Sequence, residues 1–233
     1  MIKIENTRVV GLEPTIRGMR NPMNSWAKSD SYYQTTTDGI DEYVAGDADL
    51  DLMHRLASGG SDDRKFMRMI AVYADITAPL YWWKEYDTYK VGTVANSCST
   101  MHKIAAKEFT LDDFSHEQLS NERVFFGFES PYGEGTIENT TTSIEVLSGV
   151  IGFLNSYRDL YNETKDKRYW WQMIQLLPTS YNQRRTVSLN YEVLRNQYPA
   201  RKHHKLDEWH DYCHWIEKLP YSELITGERN EEK

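Results

Sequence analysis

The chain has 233 residues, a formal net charge of -8 and a sequence pI near 5.4. It can bury a substantial core as one domain, or as one domain with a large insertion. The acidic balance excludes a general nucleic-acid coat, which needs a basic face, but leaves small anions open because local cationic clusters decide those.

Two cysteines, Cys98 and Cys213, make no disulfide framework. The opening MIKIENTRVV has no apolar signal core, and no run reaches bilayer length. A soluble, cytoplasmic protein with no membrane partner is expected. Sixteen Tyr, seven Trp and seven Phe suit deep clefts and subunit interfaces, and ordinary cores as well.

Ile2 to Val10 alternates and is β-branched, which predicts a strand. Gly11 to Ser31, with Pro14, Gly18 and Pro22, reads as an ordered loop. Asp47 to Leu56 reads as a short helix closed by Ser58-Gly59-Gly60. Lys65 to Ile76 fits a helix or a strand. Thr77-Ala78-Pro79 reads as an N-cap with proline in the first turn, opening a helix to about Thr88. Lys90 to Thr100 is small and polar, a loop.

Phe109 to Glu122 reads as a short acidic helical stretch, and Glu129 to Gly135 as a loop that would cover a site. Thr140 to Tyr161 carries Ile144, Leu147, Ile151 and Leu154, an amphipathic helix. Asp166 to Leu177 is a helix stopped by Pro178. The expected architecture is α+β and helix-dominated, a single domain over 1–225 followed by a flexible polar tail over 226–233.

The stretch from Leu177 to Trp209 holds most of the usable polar side chains. Helical spacing from Thr186 to Tyr198 predicts a helix that Pro199 ends, since its ring disfavours a helical preceding residue. A second helix starts near Leu206, with Leu206, Trp209, Cys213 and Ile216 as one buried stripe. Asp207 and Glu208 lie in its first turn, where the helix dipole favours carboxylates. The joint between the helices carries Arg201, Lys202, His203 and His204, a cationic elbow suited to an anion such as phosphate.

Asp207, His210 and His214 share a helix face next to His203-His204. Such spacing reads as metal ligands or, more plainly, as a solvated face. Cys98 has nothing beside it in sequence to lower its pKa. GFESPYGEG lacks both GxxxxGK[ST] and GxGxxG, so it makes no phosphate-loop claim.

Leu177-Pro178, then Thr186 and Asn190 as Thr-x-x-x-Asn, Asn196 six residues on and Arg201 five beyond that, match the spacing of a motif in the flavin-dependent thymidylate synthase family. Ala78-Pro79-Leu80 followed by aromatics is similar to the helix start before that family's signature. The chain resembles this family over about a third of its length, as a divergent member. The family's signature, Arg-His-Arg-x-x-Ser-x-Asn-Glu-x-Ser-x-Arg-Tyr, corresponds to Thr88 through His102 with one extra residue. Lys90, Thr93, Asn96 and Ser99 keep part of its chemistry. The first Arg, the His, the Glu and the last Arg are gone, and Ile174 stands where the family has a further Arg.

The resemblance implies an α+β fold with a small, mainly antiparallel sheet, a homotetramer with sites between subunits, and a bound FAD. It implies transfer of a one-carbon unit from methylenetetrahydrofolate to a pyrimidine nucleotide such as dUMP, with NADPH as reductant. Protein groups then supply placement and electrostatics rather than a catalytic triad. By the same resemblance Arg201, Ser99 and Lys90 hold the nucleotide, Asn190 and Asn196 serve the flavin, and Tyr89, Tyr81 or Trp82 offers a stacking face. Each has a structural rival: the asparagines bond nearby backbone, Arg201 caps a helix end, and Tyr81-Trp82-Trp83 is core. Two other functions stand beside this one: a non-catalytic nucleotide- or flavin-binding protein on the same fold, and a metal-dependent hydrolase built on the histidine face.

Overall fold

The computed structural model describes residues 2–129 and 136–227. Its elements are β1 (Lys3–Val10), α1 (Leu12–Met19), β2 (Tyr32–Thr35), β3 (Asp41–Val44), α2 (Asp47–Ala57), β4 (Ala71–Pro79), α3 (Leu80–Tyr86), β5 (Val94–Ser97) and α4 (Thr100–Lys103). They continue with β6 (Val124–Glu129), β7 (Thr136–Thr141), α5 (Ser143–Thr164), α6 (Lys167–Leu176), β8 (Asn182–Asn190), α7 (Tyr191–Arg201), α8 (Asp207–Glu217) and α9 (Glu223–Thr226). Four strands form one sheet in the order β1-β4-β8-β5, while β2-β3 and β6-β7 are separate antiparallel hairpins. β1 and β4 run antiparallel, Lys3 opposite Thr77 and Val10 opposite Ala71. The fold is therefore α+β and helix-rich with a small antiparallel sheet. Among the described residues no helix is long and apolar enough to cross a membrane.

The chain divides into two compact units. The first gathers Ala78–Glu85 and Ser97–Arg184. Its core joins Leu147 and Leu154 of α5 and Met173 of α6 to Ile104, Phe109 and Phe114. Each such aliphatic side chain removed from water contributes roughly 1.5–3 kcal/mol. Thr142 and Glu145 form a capping box that starts α5, and Asp166 caps α6.

The second unit comprises 2–77, 86–96 and the described residues from Arg185 onward. Val72, Ala74 and Ile76 of β4 and Val187 and Leu189 of β8 are buried at alternate positions, with Tyr191, Leu194, Trp209, Tyr212 and Ile216 from the helices that follow. Asp49, fully buried in the first turn of α2, accepts from Arg20 Nε at 2.6 Å and from the Ser29 and Ser31 hydroxyls at 2.6 Å each. Burial alone would raise its pKa; those hydroxyls and the Arg20 guanidinium outweigh burial and hold it below the ordinary value.

Several expectations change. Gly11–Ser31 is no loop: α1 forms there, because Pro14 falls in the first turn, where a missing N–H costs nothing, and Thr15, Ile16 and Met19 pack inward. Gly11 makes the entry, at φ +94° with a Cβ position only 2.5 Å from the Met69 carbonyl oxygen. Lys65–Ile76 resolves into a 3-10 turn, Arg64–Met69, followed by β4. Thr77-Ala78-Pro79 ends β4 instead of capping a helix, as suits an extended residue before proline, and α3 begins at Leu80. Lys90–Thr100 contains β5 rather than loop alone.

Phe109–Glu122 holds a single 3-10 turn, Leu111–Asp113; the Asn155 side chain satisfies the Phe109 N–H at 2.8 Å and carbonyl at 2.9 Å without any helix. Thr186 to Asn190 belongs to β8, and the helix starts only at Tyr191. Pro199 does not end it. α7 runs on to Arg201, and the Lys202 N–H still reaches the Tyr198 carbonyl at 2.9 Å. The expected covering loop lies, apart from Glu129, outside the described residues, as does 228–233 of the expected tail.

Candidate functional site

β8 feeds directly into α7, and the turn between them is made by Asn190. Its Oδ1 accepts from the Val193 N–H at 3.0 Å, an N-cap. The Tyr89–Thr93 loop lies against this point. Gly92 sits there at φ +74°, with a Cβ position 2.9 Å from Val193 Cγ2 and 3.4 Å from Asn190 Nδ2. No other residue adopts that backbone so close to a neighbour without strain. The Thr93 hydroxyl donates to the Tyr89 carbonyl, closing the loop.

At the far end of α7, Arg201 meets the same loop. Its Nε donates to the Tyr89 hydroxyl at 2.7 Å, and its guanidinium carbon lies 4.3 Å from the centre of the Trp209 ring on α8. Tyr89 and Trp209 meet edge to face at 6.3 Å. Behind Trp209 stands Tyr212 at 5.4 Å, fully buried, its hydroxyl donating to Gln197 Oε1 at 2.7 Å. Burial pushes the Tyr212 phenol well above its ordinary pKa, so it stays a neutral donor. A cation lodged between a phenol oxygen and an indole face has a fixed orientation, as anion recognition by a planar fork requires.

The structure brings Arg201 and Tyr89 into contact; the exposed Lys90 follows Tyr89 in its loop, and Asn190, at the head of α7, faces Gly92 of that loop. Tyr89 meets Arg201 through its hydroxyl and also through its ring, whose centre lies 5.2 Å from the guanidinium carbon. Asn196 is exposed on α7. Ser99 belongs to the other compact unit, where its Oγ accepts from the His102 N–H at 3.2 Å and caps α4. Trp82 is fully buried and edge-on to Trp83 at 4.9 Å, a core residue, and the Tyr81 hydroxyl donates to Ser115 Oγ at 3.3 Å. The sequence reading missed Trp209 as a platform. It lies eight residues beyond Arg201 across a turn, and its stripe position marked it only as core.

His210 Nδ1 lies 3.7 Å from Asp207 Oδ1. Among the described residues no group of three or more His, Cys, Asp or Glu side chains is placed to hold a metal ion.

No protein-family model and no curated protein sequence matches the chain. Solved structures do. The chain is similar to thymidylate synthase X from Helicobacter pylori, solved with FAD and dUMP, at a TM-score of 0.64 and 16% identity over 97% of this chain and 98% of that one. A second Helicobacter pylori structure, of the flavin-dependent enzyme with FAD and dUMP, gives 0.62 and 16% over the same shares. A UMP/dUMP methylase, PolB from Streptomyces cacaoi, bound with 5-Br dUMP, gives 0.56 and 14% over 97% and 95%. At such identity the likeness is one of fold.

Proposed function

We propose that this chain is a divergent flavin-dependent thymidylate synthase-like enzyme. It binds a dUMP-type pyrimidine nucleotide at Arg201 and FAD beside the β8–α7 turn, and it transfers a one-carbon unit to the nucleotide. The observation that carries this reading is the Arg201 clasp: a guanidinium oriented by Tyr89 and Trp209, on a chain that matches full-length nucleotide-bound structures of this fold. The residues present fit a flavin. Asn190 caps α7 with its oxygen and keeps Nδ2 as a donor for a ring carbonyl, and Asn196 presents an exposed amide. When bound, the flavin supplies the reducing equivalents, with methylenetetrahydrofolate as carbon donor and NADPH as reductant. Lys90 adds a mobile point charge for the phosphate where the resembled family has arginine. The working form is a cytoplasmic homotetramer.

A second reading, a non-catalytic nucleotide- or flavin-binding protein on this fold, is favoured by Ser99, whose hydroxyl already caps α4, and by the missing signature arginines. Two measurements separate the readings. Purified protein is expected to be yellow and to bind dUMP in a calorimetric titration, with Arg201→Ala abolishing that binding while leaving the fold intact; unchanged affinity removes Arg201 from the site. Growth of a thymidine-requiring bacterial strain carrying the gene, without added thymidine, supports the enzyme. Binding without growth or turnover supports the second reading.

A further inference from the structure

α8 shows two faces at the α7–α8 joint. Trp209 turns to Arg201, while His210, Cys213, His214 and Glu217 follow one another along a different side of the helix. Together with Lys202, His203 and His204 of the joint they line an open cleft of about 530 Å³. Four of the chain's seven histidines therefore line one cleft of a protein whose net charge is -8. Nothing in the proposed flavin chemistry uses them.

We propose that this cleft is a second, pH-gated anion site for a diphosphate group. Imidazole gains its charge between about pH 8 and pH 5. Protonation of His203, His210 and His214 thus adds as many as three cations to Lys202, while His204 Nδ1 already accepts from the Leu206 N–H at 3.1 Å. The facing carboxylates offset only part of this: Glu217 lines the cleft and Asp207 stands beside His210. Glu217 accepts from the Tyr198 hydroxyl at 2.7 Å, and Lys202 Nζ lies over the Tyr198 ring at 5.3 Å. Asp207 Oδ1 lies 3.7 Å from His210 Nδ1. The carbonyl end of α7 favours imidazolium beside it.

A transition metal suits the cleft less well. No trio of ligands converges there. Cys213 is buried, points its thiol at the Tyr198 carbonyl at 4.0 Å, and is pushed by burial up to about 11, so it is a neutral thiol rather than a thiolate ligand. The volume accommodates two linked phosphates, and several spaced donors suit a multivalent anion better than a single one.

The test is a calorimetric titration of the full chain with inorganic pyrophosphate, and separately with a nucleoside diphosphate, at about pH 5.5 and about pH 8. Binding is expected at the lower pH and at least about tenfold weaker at the higher. His210→Gln with His214→Gln, both on the helix surface, is expected to lose the pH-dependent part with the melting temperature kept. Arg201→Ala is expected to leave it intact, which separates this site from the nucleotide site. Tighter binding of the nucleoside diphosphate assigns the group to a nucleotide. Absence of heat with both probes at pH 5.5, equal affinity at both pH values, or unchanged binding in the double variant overturns the proposal. So does stoichiometric zinc binding that the double variant loses.

Discussion

Arg201 and Trp209 stack, guanidinium carbon to ring centre 4.3 Å, although they end one helix and open the next. Such a contact contributes about 0.5–2 kcal/mol, the larger value where water is excluded. Trp209 is fully buried, so the platform is rigid while Arg201 is only partly covered. The Tyr89 hydroxyl then sets the rotation of the fork.

Tyr89→Phe removes that hydroxyl and leaves the ring. A lost hydrogen bond of about 0.5–1.5 kcal/mol predicts a dUMP affinity weaker by roughly 2- to 13-fold. The thermal midpoint is expected to hold, since no buried apolar surface is lost. Calorimetry on the variant checks both, and an unchanged affinity separates Tyr89 from nucleotide binding.

Asn190 has two proposed duties, and they come apart under substitution. Asn190→Ser keeps a good N-cap and removes the amide donor, so stability is expected to stay near the starting value while the flavin-to-protein absorbance ratio falls. Asn190→Ala loses the cap as well, at a cost of about 1 kcal/mol. A serine variant that retains full flavin reduces Asn190 to a cap.

Gly92→Ala puts a Cβ where φ is +74° and Val193 Cγ2 is 2.9 Å away. A left-handed backbone costs an alanine about 1–2 kcal/mol before the clash is counted. Urea unfolding is expected to shift to a lower midpoint. Nucleotide binding is expected to fall with it, because Tyr89 rides on the same loop.

Asp49→Asn leaves Arg20, only 4% exposed, without its counter-charge. Breaking a buried pair in this way costs about 3–5 kcal/mol. The folded-state pKa of Asp49 is lowered, so its contribution is fully present above the ordinary value of 3.8 and is lost as pH falls through the folded value. Chemical unfolding followed from neutral to acid pH is expected to show the gap between wild type and variant closing only below pH 3.8. A gap constant to the acid limit contradicts the assignment.

The sequence by itself determined the elements whose signals are local. α2, α5, α6 and α8 follow from apolar spacing and caps, because a helix closes its hydrogen bonds within a few residues. Motif spacing also singled out Arg201 and Asn190. Tertiary structure decided the rest. Thr186–Asn190 reads as helix in spacing and belongs to the strand β8 because it lies in the sheet between β4 and β5. Pro199 stays inside α7 because that helix is held by buried Leu194, Gln197 and Tyr198, which outweigh the local break. The partners of Arg201 come from Tyr89, more than a hundred residues earlier, and from Trp209 across a turn. Contacts of that range have no periodicity to read, since only the folded backbone sets the distance between them.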